Sequence, residues 1–331
     1  MARKILLVSM IAMVLVAYGN DEVVAASFSE DEWIKKELLE DARAGASPYW
    51  QGEEPPVQVR GELRYSYASH RGEGDFTAND RRLRGRIYVS APLHPDWTAY
   101  GMLEGQRKFT SDNQNMVAVG DRLYVSGISG KTQITAGKFS VYLAEGNLYD
   151  GVLTGLKMQM KDDVLYTAVY GTTNDDAQAY SLTADYAGYD YAIGGGVHHF
   201  AQRNGTDKTI VTASGNYQFE HFTLGATYLQ SVTGRDRGNG YVYTLSIGDL
   251  KSWVSGSHQA FFKYYDQADA TYVQHTMVGL GGRMDGFWGI GTGAYYTVAE
   301  NVIVGVEYYH LRDKASKDSK KTLWSQITYY F

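Results

Sequence analysis

The chain has 331 residues, with 37 Gly, 28 Tyr, 5 Pro and no Cys, and a formal charge of -6. The lack of Cys excludes a disulfide scaffold and thiolate metal sites, and the net negative charge gives no electrostatic case for a nucleic-acid partner. Hydrophobic residues at 44% with aromatics at 14% exclude a disordered chain, and heavy use of Tyr points to β architecture.

Residues 1–26 read as a secretory signal peptide. Arg3 and Lys4 precede an apolar run from Ile5 to Ala17, too short for a spanning helix, and the small residues Ala25 and Ala26 suggest cleavage before Ser27. Cleavage after Gly19 and an uncleaved membrane anchor are the alternatives. Residues 27–55 carry 8 acids against 3 bases. Ser29 and Glu32 form a capping-box pattern, and Trp33, Ile34, Leu38, Leu39 and Ala42 follow at near-helical spacing. An acidic amphipathic helical extension is expected there, either a small periplasmic clamp or a plug that enters a basic pore.

From Val57 onward the period is two. Val57, Val59, Gly61, Leu63, Tyr65 and Tyr67 alternate with Gln58, Arg60, Glu62, Arg64 and Ser66. Leu83, Gly85, Ile87, Val89 and Ala91 alternate with Arg82, Arg84, Arg86, Tyr88 and Ser90, and the pattern continues to Leu323, Ile327, Tyr329 and Phe331. Alternate side chains occupy opposite faces of a strand, so one face is apolar and the other polar. Tight links are expected near Pro95, Gly130, Asp162, Tyr189, Glu220 and Glu300, with a longer one of the same set at Leu250 to Ser257. Between them fall mostly longer polar links: Ser69 to Asp80, Thr110 to Gly120, Ser140 to Asp150, Thr173 to Gln178, Arg203 to Asp207, Thr233 to Asn239, Gln267 to Arg283 and Arg312 to Lys320. These connections separate sixteen strands, leaving about 17 residues for each strand and its link, enough for the ~9–11 residues of a tilted spanning strand.

A packed core cannot bury so many unpaired Arg, Lys and Glu. The consistent solution places apolar faces against lipid and charged faces around water. Residues 56–331 are therefore expected to form an all-β fold, a sixteen-stranded antiparallel transmembrane β-barrel. Tyr65, Tyr67, Trp97, Tyr295, Tyr308, Tyr329 and Phe331 would form its interfacial girdles. By parity the lumen receives the bases Arg60, Arg64, Arg82, Arg84, Arg86, Lys108, Arg122 and Lys157, and the acids Glu62 and Glu104. The face of Lys138 is open.

This pattern resembles the sixteen-stranded general porins of Gram-negative outer membranes, over Val57 to Phe331. The C-terminus from Leu323 to Phe331, with Ile327 and Tyr329 before a final aromatic, looks like their outer-membrane assembly signal. The segment from Ala136 to Val152 falls after the fifth strand, where the resemblance implies a constriction loop, Ser140 to Asp150, carrying Tyr142, Glu145 and Asp150. The chain lacks the longer Pro- and Gly-containing loop of the enterobacterial members. The resemblance further implies a basic wall on the early strands facing that acidic loop, and passive diffusion of small hydrophilic solutes and ions. It implies a homotrimer, with membrane lipid, lipopolysaccharide and the barrel assembly machinery as partners. Charge rings set ion preference, and the excess of bases predicts weak anion preference. A substrate-selective channel for phosphate or oligosaccharides is the first alternative. An outer-membrane enzyme or adhesin is the second.

Other motifs lead nowhere chemical. His198 and His199 are adjacent on a strand, so they face opposite ways and cannot chelate one metal. Gly289 to Gly293 sits inside an alternating strand with no helix to follow, so it makes no phosphate cradle. No cofactor and no metal is expected.

Overall fold

A computed structural model describes residues 57–73, 76–109, 117–202, 206–233, 238–273 and 278–331. The expected signal peptide and acidic helical extension lie outside the described residues. Sixteen strands follow in chain order. They are β1 (Gln58–Arg71), β2 (Ala78–His94), β3 (Trp97–Lys108), β4 (Val117–Ser129), β5 (Thr132–Leu143), β6 (Tyr149–Lys161), β7 (Val164–Thr173) and β8 (Gln178–Ala187). The second half comprises β9 (Tyr191–Ala201), β10 (Lys208–Gln218), β11 (Phe222–Ser231), β12 (Asn239–Asp249), β13 (His258–Gln267), β14 (Phe287–Ala299), β15 (Val302–Asp313) and β16 (Ser319–Tyr330). Each pairs antiparallel with its sequence neighbours, and β1 pairs with β16, so the sheet closes into a barrel with no free edge.

Closure is made by the C-terminus. Phe331 exchanges two backbone hydrogen bonds with Gly61, at 2.7 and 3.0 Å. Its ring lies over that glycine, where a Cβ would stand 2.3 Å from the ring. Ile327 and Tyr329 sit directly opposite Tyr65 and Leu63 on the outer face, and the Tyr329 and Phe331 rings stack with centroids 5.9 Å apart.

Burial is inverted relative to a water-soluble domain. Leu123 is 72% exposed and Leu182 61%, while Glu62 is 1% exposed and Arg64 3%. Such an apolar exterior is an aggregation surface in water and a satisfied one in lipid, because the closed ladder leaves no backbone polar group for lipid to solvate. One girdle residue departs from expectation. Tyr295 pairs with Gly305 and bonds Glu307 on the inner face. The glycine leaves room for the ring to lie flat against the wall.

The inner face is not polar throughout. On β7–β15 it carries Val169, Ala179, Phe200, Ile210, Leu229, Val242, Tyr265, Phe287, Tyr309 and Leu311, all buried in one apolar cluster. Two inward segments cover it: the β5–β6 hairpin and the link between β13 and β14. That link contributes Tyr272, Val273 and Met284 to the cluster. It contains two short 3-10 helices, Asp269–Thr271 and Val278–Arg283. The Tyr272 hydroxyl donates to Met284 O at 2.6 Å, and burial raises its pKa above the ordinary phenol value.

Candidate functional site: a charged inner wall facing an inward hairpin

The register of β1–β4 stacks inner side chains in rows. The row of all four strands nearest the short turns holds Gln58, Ser90, Tyr100 and Tyr124, with Pro92, Thr98 and Ser126 beyond it. Next come Arg60, Tyr88, Met102 and Arg122, then Glu62, Arg86 and Glu104, then Arg64, Arg84 and Gln106, then Ser66, Arg82 and Lys108. Period-two alternation is what aims these bases inward, since a one-residue slip would turn them to lipid.

Glu62 is the hub of this wall. Its Oε1 accepts from Arg84 Nη2 at 2.6 Å and Nε at 3.2 Å. Arg64 Nη2 donates to the same oxygen at 3.4 Å, and Arg86 Nε approaches it to 3.9 Å. Arg86 Nε also donates to Glu104 Oε2 at 2.7 Å. Arg82 pairs with Asp80 at 2.7 Å, and Arg122 with Asp121 at 3.5 Å. The wall is thus a knit of guanidinium and carboxylate groups with bases in excess. Arg60, Tyr88, Tyr100, Arg122 and Tyr124 line one cavity beside it, and the Tyr100 and Tyr124 rings stack with centroids 5.0 Å apart.

The opposing element is the end of the β5–β6 hairpin. β4 pairs with β5 only as far as Lys138, and β7 with β6 only as far as Leu153. Beyond these points, Phe139–Leu143 and 149–152 pair only with one another. The ribbon leaves the wall just after Gly137, whose φ of 124° is open to glycine. A Cβ there would stand 2.4 Å from Leu123 O. One ribbon face, with Phe139, Val141, Leu143, Tyr149 and Leu153, packs into the apolar cluster of β7–β15. The other face, with Ser140, Tyr142 and Asp150, is turned away from that wall.

The turn runs through Ala144, Glu145 and Gly146, all at positive φ (51°, 55° and 73°). Its tip is fastened across the lumen. Asn216 Nδ2 on β10 donates to Glu145 Oε1 at 2.6 Å, Gln267 Nε2 on β13 donates to Asn147 O at 2.9 Å, and Val273 N donates to Leu148 O at 2.9 Å.

The expected loop Ser140 to Asp150 is therefore mostly strand. Its residues Tyr142 and Asp150 stand directly opposite one another in the ribbon, and only residues 144–148 form the link. Lys157 lies on the inner face of β6, apart from the other bases, with its ammonium 5.8 Å from the centre of the Phe139 ring. Lys138 follows the outer parity of Leu123. Sequence reasoning missed the β13–β14 link as an inward element. The signal was present as Tyr272, Val273 and Met284, apolar residues in a link otherwise read as polar. It also missed Asn216 and Gln267, whose roles arise from contacts 71 and 120 residues apart in sequence. His198 and His199 do point to opposite faces: His198 bonds Ser181 and Thr212 inside, and His199 bonds Thr209 outside.

A closed sixteen-stranded antiparallel barrel is the architecture of bacterial outer-membrane porins. Solved structures share it. An anion-selective porin from Comamonas acidovorans superposes with a TM-score of 0.58 at 12% identity, over 83% of this chain and 99% of that one. Salmonella typhi OmpF, solved in complex with daunomycin, gives 0.56 at 15% identity, over 83% and 97%. A triple mutant of Rhodopseudomonas blastica porin gives 0.53 at 13% identity, over 83% and 100%. No protein-family description and no curated protein sequence matches the chain. At these identities the likeness establishes the fold.

Proposed function

We propose that the chain forms a water-filled channel in the bacterial outer membrane, through which small hydrophilic solutes and ions diffuse passively. One observation carries this reading: bases on β1–β4 line the same side of the lumen, and the polar face of the inward hairpin is turned away from the apolar wall. Water is the solvent that ionised groups on an inner face require. Charges on either side of a narrow aqueous passage orient water and dipolar solutes, so hydrophilic molecules pass in preference to apolar ones. The excess of bases gives weak anion preference. The site is read as a passage for solutes and not as a centre of catalysis.

We assign the chain to a homotrimer on the same footing. The outer face of β2 and β3 carries small residues, Gly85, Ala91, Ala99, Gly101 and Gly105, around the exposed Ile87 and Leu103, whereas that of β7–β13 is studded with Tyr. A Cβ on Gly101 would meet nothing within 4 Å, so no contact inside this chain demands glycine there. Close approach of another copy would. Membrane lipid, lipopolysaccharide and the barrel assembly machinery are the other partners this reading calls for.

Planar-bilayer recording of the purified protein tests it. Stepwise insertion, closures in threes and a zero-current potential of weakly anion-selective sign are expected. Silent bilayers overturn the channel, and strong cation preference overturns the role given to the wall. Conductance that saturates with one solute class, phosphate or an oligosaccharide, would favour a substrate-selective channel. The Tyr100–Tyr124 stack beside Arg60 and Arg122 is the feature that would serve it.

A further inference from the structure

Toward the short turns, the inner face of β13–β16 leaves the apolar band and changes character. The register aligns Phe261, Gly293, Glu307 and Trp324 in one inner row. The next row toward the short turns holds Gln259, Tyr295, Gly305 and Gln326. The rings in these rows lie along the wall. Phe261 is directly opposite Gly293, where a Cβ would stand 2.5 Å from its ring, and Tyr295 is opposite Gly305, where a Cβ would stand 2.4 Å from its ring. Each ring therefore folds down over the neighbouring strand and turns a face to the lumen. Phe261, Tyr295 and Trp324 are all half-buried, so part of each stays open. The Tyr100–Tyr124 pair on β3 and β4 differs: its rings lie 18° from parallel and cover one another.

Polar groups of every kind surround these ring faces. Glu307 Oε2 accepts from the Tyr309 hydroxyl at 2.6 Å, and its Oε1 accepts from the Tyr295 hydroxyl. Trp324 Nε1 donates to Gln326 Oε1 at 3.0 Å. Lys263, one row further from the short turns, holds its ammonium 6.0 Å from the centre of the Phe261 ring. The patch thus offers a carboxylate, an ammonium and the carboxamides of Gln259 and Gln326. Its one acid and one base balance, in contrast to the excess of bases on β1–β4.

We propose that this patch is a binding site for a neutral oligosaccharide. The C–H groups on one face of a pyranose ring complement the negative face of an aromatic ring. Sugar hydroxyls both donate and accept, and the carboxylate, ammonium and carboxamides supply both kinds of partner. A flat aromatic solute would use the rings and leave the polar groups unmatched, and a linear polyol would do the reverse. The balanced charge favours an uncharged solute over the anions that the arginine wall attracts. With strands about 4.8 Å apart, rings on β13, β14 and β16 spread over roughly 14 Å, wider than a single sugar ring. The inference rests on the channel reading for the water that fills the lumen, and gives that channel a solute class.

The test uses the full chain in a polyoxyethylene detergent, which carries no sugar of its own. Calorimetric titration with maltotriose, cellotriose and sorbitol compares two linked-pyranose ligands with a linear polyol. Saturable binding of at least one trisaccharide, and none of sorbitol, is expected. The variant Phe261→Leu/Trp324→Leu keeps apolar bulk without flat faces and should weaken binding about tenfold or more. Phe261→Tyr/Trp324→Phe keeps the rings and should bind as the wild type does. A wild type that binds neither trisaccharide, or binds sorbitol equally, overturns the proposal, and those comparisons need no variant to fold. So does a leucine variant that binds normally, a ring-keeping variant that does not, or loss of binding through Tyr100→Leu alone, which would move the sugar to the Tyr100–Tyr124 stack. Bilayer recording of the same sample separates the two readings: a conducting barrel that binds no trisaccharide sinks only the sugar site, and a silent one that binds it sinks only the channel.

Discussion

The two halves of the inner wall solve the same problem in opposite ways. On β1–β4 every one of these inner rows carries ionised or hydrogen-bonding groups, and Arg64, Arg84 and Arg86 share the carboxylate of Glu62. On β7–β15 one band of inner positions is apolar, and the hairpin and the β13–β14 link cover it, while Ser181, His198, Thr212, Thr227, Thr244 and Ser246 make the neighbouring inner positions polar. The barrel wall alone therefore does not decide what fills its centre. One half wets itself with charge. The other recruits the chain's own loops as a lid, and the passage is the space left between.

Four substitutions probe that contrast. The largest effect is expected on the charged side. Glu62→Ala leaves three guanidinium groups around an empty centre, and loss of one partner from a buried ionic cluster costs about 3 kcal/mol. Denaturant unfolding from lipid vesicles should register it, and an unchanged midpoint would mean that water already screens the cluster. Gly155→Ala strikes the junction where the hairpin springs from the wall. Its Cβ would stand 2.0 Å from Tyr170 O, and forced repacking costs about 2 kcal/mol. Gln267→Ala removes one tether of the hairpin tip. It should cost about 1 kcal/mol and raise single-channel noise, and a quiet channel would show that apolar packing alone holds the ribbon. The smallest stability change belongs to the outside. Gly101→Leu should shift the unfolding midpoint by no more than about 0.5 kcal/mol while breaking the oligomer seen by crosslinking, and an intact oligomer would move the subunit contact elsewhere.

The strands were legible in the sequence because alternation is a local signal, and it is cleanest where charge marks one face, as on β1 and β2. It fades on β12, where Tyr241, Val242 and Tyr243 place apolar residues on both faces. There parity gives the direction of a side chain but not its environment, so the apolar inner cluster was not foreseen. The hairpin was expected as an inward loop, yet the ribbon that forms it reads as two more stretches of strand. Whether a strand stays in the wall is set by pairing with the next strand, which the sequence of either one does not contain. The same holds for the inward link after β13, whose apolar residues are visible but whose destination is set by Tyr309 and Leu311, brought near by closure of the barrel.

The central claim is that one side of the lumen is wet, the apolar band on the other is covered, and the outside meets lipid. The chain has no Cys, so single thiols report cleanly. In proteoliposomes, Ser90→Cys on the charged wall should react with a charged, membrane-impermeant thiol reagent. Leu182→Cys on the outer face should react only with a lipid-soluble reagent, and Val169→Cys beneath the hairpin with neither. A Val169→Cys thiol as reactive as that of Ser90→Cys, or a Ser90→Cys thiol that the charged reagent never reaches, would contradict the account.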